Sequence, residues 1–131
     1  MKLNPSRYAP YLQSALRIAA AAIFIPHGTQ KLFYFPHAPH PPLEWFSQIW
    51  FAGVLETFGG ALMLLGLFSR PVAFLLAGEM AVAYFQMHWP RGPWPILNDG
   101  ELAVLFCFIW LFFAAAGPGP WSLDAVVRRK R

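Results

Sequence analysis

Four long apolar stretches, three of them holding one charged residue well inside, most constrain what this chain can fold into. They run over Tyr11–Phe33, Trp45–Phe68, Pro71–Trp89 and Asn98–Ala116, and the enclosed charges are Arg17, Glu56 and Glu79. A run of about 20 apolar residues is long enough to cross a bilayer core. A charge at that depth is costly unless it is paired, neutralised or turned toward a polar cavity. The pattern predicts an all-α, integral membrane four-helix bundle, a single domain over residues 1–131 with an ionisable interior.

Composition and charge placement agree with that reading. The chain is 57% apolar and 18% aromatic with 12% charged residues, where soluble domains carry about 25%. That is too little charge to coat a water-exposed globule. The net charge of +4 is unevenly placed: Lys2, Arg7, Arg70, Arg128, Arg129, Lys130 and Arg131 fall on one side of a four-span arrangement, Lys31 and Arg91 on the other. The positive-inside rule then puts both termini in the cytoplasm. The basic residues thus read as a topology signal and not as a nucleic-acid footprint. The lone cysteine, Cys107, permits neither an intramolecular disulfide nor a cysteine metal cluster.

Local signals place the interior groups. Pro26 removes a backbone donor within the first span and should kink it. Beyond it come His27, Gln30 and Lys31, then a proline-rich outer loop containing His37 and His40. Ala52, Glu56 and Gly60 recur every four residues, so small residues flank a carboxylate on one helix face and admit a neighbouring helix. Gly66 to Pro71 reads as a tight turn, and Glu79, Ala83 and Gln86 form a second polar stripe. Asn98-Asp99-Gly100-Glu101 resembles a helix cap with a following acid, and Gly117-Pro118-Gly119-Pro120 is a strong stop. At about 1.5 Å per residue, Arg17 lies roughly 9 Å and Glu79 roughly 12 Å from the cytoplasmic end, with Glu56 roughly 18 Å from it. Those depths predict a buried Arg17–Glu79 ion pair. For Glu56 two options stay open: Lys31 reaches down to it, or one of the two acids is protonated.

The chain resembles the DoxX family of small bacterial four-helix membrane proteins along nearly its whole length. The residues that carry the likeness are Arg17, His27-Gly28 with Lys31-Leu32, Gly53-Val54-Leu55-Glu56 leading to Gly59-Gly60, Gly66 with Ser69-Arg70, Gly100-Glu101-Leu102-Ala103, and Gly117-Pro118-Gly119 followed by Ser122-Leu123-Asp124. The resemblance implies a multi-pass protein of the bacterial inner (cytoplasmic) membrane associated with redox chemistry. Its relatives include a quinone-reducing thiosulfate oxidoreductase. The long outer loop with His37 and His40 departs from the usual short connection.

A quinone-interacting subunit of a membrane redox complex is the leading functional reading. Its site is drawn in the outer half from His27, Lys31, Glu56, Gln86 and Glu101, with Lys31 or His27 donating to a carbonyl and a carboxylate exchanging protons. No flavin, haem, iron–sulfur or nucleotide motif is readable, so a bound quinone is the one cofactor in view, and catalytic and non-catalytic subunits are both compatible. Two alternatives stand beside it. One is a cofactor-free accessory or assembly subunit that anchors soluble oxidoreductases through its basic tail. The other is proton or small-solute passage through the same carboxylates. The buried charges also have a purely structural reading, as polar pairs that fix helix register, and Glu101 one as the acid of its helix cap. No metal site is expected, since His37-x-x-His40 lies in a solvated proline loop. The expected partners are the lipid bilayer and redox-complex subunits, with no nucleic acid; small-residue stripes permit a homo-oligomer.

Overall fold

The computed structural model describes residues 2–37 and 43–130, and within them every regular element is helical. Helix α1 spans Pro5–Phe33, and Pro26 sits inside it without ending it. Helix α2 spans Gln48–Leu65 and contains a π-helical turn at Leu55–Gly59. Helix α3 spans Ser69–Ala83 and runs on through a second π turn, Tyr84–His88. A short helical turn α4, Pro95–Asn98, leads into α5, Glu101–Ala116, and the chain closes with α6, Leu123–Arg129.

Helix α3 packs along α5 and helix α1 along α2. Small residues make the close approaches: Ala20 and Ala21 on α1, with Ala73 and Ala77 on α3, are buried. A Cβ added to Gly28 would stand 2.5 Å from the backbone nitrogen of Thr57, so α1 and the π turn of α2 touch where only glycine fits. The two pairs meet in an aromatic core, where Phe24 lies edge-on to Phe106 and Trp110 with ring centroids 5.1 and 5.3 Å apart. Such contacts add to the burial of the rings themselves.

The outer surface is apolar. Only 28% of the most apolar window of α1 and 22% of that of α2 is buried, although both helices are long and apolar enough to cross a membrane. Phe58, Phe74, Phe108 and Phe112 all point outward. Water penalises so large an apolar surface on a monomer, whereas lipid does not. Helix α5 is apolar but shorter, at 16 residues.

Near both termini the elements are tied together by backbone capping from a distance. Gly66 adopts the left-handed conformation (φ 69°) and ends α2, with the Leu67 amide donating to the Leu62 carbonyl at 2.9 Å. Phe68, which precedes α3, has no capping side chain. Asp124 of α6 supplies the cap instead, accepting from the amides of Phe68 and Ser69 at 2.9 Å each. Burial of the Asp124 carboxyl opposes ionisation, but the Ser69 and Phe68 hydrogen bonds and the nearby Arg128 charge together hold it below its ordinary range.

Arg17 lies at the centre of this knot, 1% exposed. Its Nε donates to the Met63 carbonyl at 2.8 Å, its Nη2 to that of Trp121 at 2.7 Å, and its Nη1 to that of Pro118. The expected Arg17–Glu79 ion pair is therefore corrected: among the described residues, Arg17 makes no ion pair. The Met63 carbonyl at the end of α2 accepts from the Gly66 amide at 3.2 Å, and the planar guanidinium adds a second donor to it while also serving the loop carbonyls of Pro118 and Trp121.

Candidate functional site

The opposite end of the same helices opens into a cavity of about 880 Å³ between α2 and α3, floored by α1 and α5. Its walls are mostly apolar, with Leu55, Phe74, Met80, Val82 and Phe106 among them. Among its polar groups Lys31, Glu56 and Glu79 are neighbours, while Gln48, Gln86, His88, Arg91 and Asp99 line it elsewhere. That combination, an apolar cleft with a few convergent polar side chains, is the usual form of a small-molecule site, and the volume lies within the usual range.

Two local departures from α-helix border the cavity. Glu56 lies in the π turn of α2 and Gln86 and His88 in that of α3, so both cavity-lining helices are re-phased beside the cavity. A π turn inserts a residue and shifts the face that follows; such turns concentrate at functional sites. Glu56, 4% exposed, faces α1, where Lys31 Nζ reaches its Oε2 at 2.6 Å. Lys31 also donates to the His27 carbonyl at 3.1 Å, one helical turn back. Of the two options left open for Glu56, the structure contains the lysine contact.

Glu79 enters from α3 on the same side. Both of its carboxylate oxygens are buried without a hydrogen-bond partner, and its charged neighbours are Glu56 and Lys31. Two ionised carboxylates offer only acceptors to each other, and a hydrogen bond joins them only when one carries a proton. Two carboxyl groups thus share one cation, Lys31, an arrangement able to hold or release a proton.

His27 is half-buried, its ring edge-on to Phe106 with centroids 6.3 Å apart. Gln86 lies at the rim, where its Oε1 accepts from Gln48 Nε2 at 2.5 Å and links α3 to α2 across the cavity. His88 is fixed through Nδ1 to the Asn98 carbonyl at 2.9 Å. Asn98 is fully buried and organises the loop before α5, donating to Gly92 at 2.8 Å and accepting from the Gly100 amide at 2.9 Å.

Of the residues singled out from the sequence, His27, Lys31, Glu56, Gln86 and Glu79 come together around this cavity. Glu101 does not. It is exposed in the first turn of α5, outside the cavity, and the cap position belongs to Gly100, which makes no side-chain cap bond. The carboxylate favours the positive end of its helix, facing solvent. Placing Glu79 in the site, and not with Arg17, is what sequence reasoning missed. Its i, i+4 relation to Ala83 marked the correct face but could not name the partner. His37 is exposed, while His40 lies outside the described residues.

The DoxX family model matches residues 12–89, which carry Arg17, His27, Lys31, Glu56, Glu79 and Gln86. An uncharacterized protein of Haemophilus influenzae is 41% identical, the match covering 92% of this chain and 94% of the relative. An uncharacterized membrane protein of Mycobacterium tuberculosis is 27% identical over 83% of this chain and 77% of its own length. No solved structure matches.

Proposed function

This chain belongs to the DoxX family, and from that premise we propose that its cavity takes a quinone head group, as part of a membrane redox complex in the bacterial inner membrane. One observation carries the reading: the polar floor of Lys31, Glu56, Glu79 and His27 lies beneath apolar walls in a cleft of about 880 Å³. An isoprenoid quinone has the matching form, a flat head with two oxygens on a long apolar tail. Helices α2 and α3 leave the cleft open toward the surface that lipid would cover, since Phe51, Phe74, Leu75 and Val82 line it and remain exposed. A ligand could enter sideways from the bilayer. Lys31 and His27 would orient the head, and the Glu56–Glu79 pair would exchange its proton.

In this reading all four long helices cross the bilayer. Helix α3, carried through its π turn to His88, reaches about 30 Å. Lys2, Arg7, Arg70, the α6 residues Arg128 and Arg129, and Lys130 just after them then lie on the cytoplasmic side, which supports cytoplasmic termini. A C-terminal reporter active only in the cytoplasm should be active, and activity only of a periplasmic reporter would reverse the topology.

The binding test uses two variants. Glu56→Gln removes the charge from the floor. Gly78→Leu fills the cleft, because an added Cβ at Gly78 meets nothing within 4 Å although the residue lines the cavity. Wild-type protein purified in mild detergent should retain or rebind quinone, and Gly78→Leu should lose it while its helical content stays unchanged. Equal retention by wild type and Gly78→Leu would remove the reading.

An accessory role has an observation of its own: Arg128, Arg129 and Lys130 are exposed at the end of α6 and just beyond it, away from the cavity. In that case removing residues 128–131 should release a soluble partner without changing quinone retention. Full retention of the partner would end this second reading.

A further inference from the structure

Every carbonyl from Ala114 to Gly119, at the end of α5 and in the loop after it, accepts from a side chain. Arg70 Nη1 donates to those of Ala114 and Ala115, and Gln13 to those of Ala116 and Gly117 at 3.2 and 2.7 Å. Arg17 and Ser14 serve Pro118, and Ser122 serves Gly119 at 2.8 Å. Bare carbonyls make a helix C-terminus negative and repel anions. Here they are already satisfied, and what remains to face a ligand is cationic.

Beside this loop lies a second cavity of about 250 Å³, lined by Gln13, Arg70, Gly117, Ser122 and Arg128 among others. Arg70 and Arg128 are exposed and so can be reached from outside. Neither makes an ion pair among the described residues. Asp124 lies near enough to feel the Arg128 charge, but its two oxygens are held by the Phe68 and Ser69 amides. Gly117 (φ 83°) lets Arg70 lie close against the loop, since a Cβ there would stand 3.2 Å from Arg70 Nη2. With Nη1 on the carbonyls, Arg70 keeps Nε and Nη2 as donors, a fork suited to the oxygens of a phosphate.

The surround of this cavity is apolar. Trp121, Leu123, Val126 and Val127 are exposed on and just before α6, and Trp121 packs on Tyr11 with ring centroids 5.5 Å apart. Tryptophan and tyrosine gather at the level of lipid head groups. Short amphipathic helices lie in that layer with their apolar side toward the acyl chains. We infer that the cavity binds the phosphate of an anionic phospholipid, held between Arg70 and Arg128 in the leaflet nearest the termini. Such a site depends on the bundle crossing the bilayer and is independent of what the larger cavity holds. Inorganic phosphate offers the same oxygens but nothing for the apolar surround to meet.

Native mass spectrometry of the full chain in mild detergent tests the site, with dioleoyl phosphatidylglycerol or dioleoyl phosphatidylcholine added in turn. The two lipids share their chains and differ in head-group charge. One phosphatidylglycerol should bind per chain about tenfold more tightly than phosphatidylcholine. Arg128→Gln removes an exposed cation and should cut that preference about fivefold. Arg129→Gln removes the same charge from the next residue, outside the cavity, and should leave the preference unchanged. Equal binding of the two lipids to wild type overturns the inference. So does an equal loss in Arg128→Gln and Arg129→Gln, which would mark a diffuse basic surface. Thermal unfolding separates lipid from free ion: phosphatidylglycerol should stabilise wild type more than Arg128→Gln, and inorganic phosphate should raise both melting temperatures alike. Stabilisation by inorganic phosphate that depends on Arg128 and matches that of the lipid would assign the cavity to the free ion and overturn the lipid.

Discussion

Lys31 Nζ stands 2.6 Å from Glu56 Oε2, a contact that joins α1 to the π turn of α2 beneath the cavity. The two side chains are 24% and 5% exposed, so the pair is largely withdrawn from solvent. Pairs of this kind owe little to their own attraction and much to the cost of leaving either partner alone.

That asymmetry predicts the outcome of a double-mutant cycle. Lys31→Met strands Glu56 and should cost about 3 kcal/mol. Glu56→Leu should cost less, because the lysine stem can lift its ammonium toward the rim. The double variant should recover most of the loss. Thermal unfolding in detergent measures all three, and additive losses would show that the two charges are not coupled.

Arg17 should not tolerate even lysine. Its guanidinium serves three carbonyls on two separate segments, Met63 at the end of α2 and Pro118 and Trp121 in the loop after α5. An ammonium cannot span them in one plane. We expect Arg17→Lys to lose about 2 kcal/mol and to expose the segment after α5 to protease. Because Arg17 makes no ion pair with Glu79, Arg17→Lys and Glu79→Gln should be additive to within about 0.5 kcal/mol. A larger coupling would restore the ion pair that the sequence suggested.

Gly28 and Gly78 make opposite predictions for one substitution. An alanine Cβ at Gly28 would meet the Thr57 backbone nitrogen and Oγ1 at 2.5 Å each, whereas at Gly78 it meets nothing within 4 Å. Gly28→Ala should therefore cost about 1–3 kcal/mol by forcing α1 from α2. Gly78→Ala should be neutral or gain about 0.5–1 kcal/mol from helix propensity. Equal melting temperatures for the two variants would contradict the close approach.

Asp124 predicts how stability depends on acid. Its folded-state carboxyl is held below its unfolded value because, against the effect of burial, the Ser69 and Phe68 hydrogen bonds favour the charged form. The folded protein thus gains from Asp124 above an unfolded value of about 3.9, and that gain is lost as pH falls through the lower folded value. Asp124→Ala should lower stability by about 1 kcal/mol at neutral pH. Its difference from wild type should shrink below about pH 4. A constant difference from pH 7 to pH 2 would assign the effect to packing and not to the charge.

The helical stretches were legible in the sequence because they depend on short-range information. Apolar length, Pro71, Gly66 and the Gly117-Pro118-Gly119-Pro120 stop are local features, and the helices lie close to where they place them: α5, expected from Asn98, begins at Glu101. The Ala52, Glu56, Gly60 stripe likewise names a helix face from periodicity alone, and Glu56 and Gly60 on it are buried.

The partners of the charged residues were not legible in this way. Depth along parallel helices made Arg17 and Glu79 near equals, yet Arg17 turns to backbone carbonyls, which have no side-chain signature in a sequence. The π turns re-phase α2 and α3 by a residue, a displacement that regular 3.6-residue counting cannot contain. Helix identity and the inward placement of Glu56 and Arg17 were thus determined by the chain itself, through hydropathy and spacing. Which charge meets which, and that Glu79 is left without a donor beside a cavity, was decided only by the packing of helices distant in sequence, because hydrogen bonds depend on ångström-scale geometry that residue order alone does not fix.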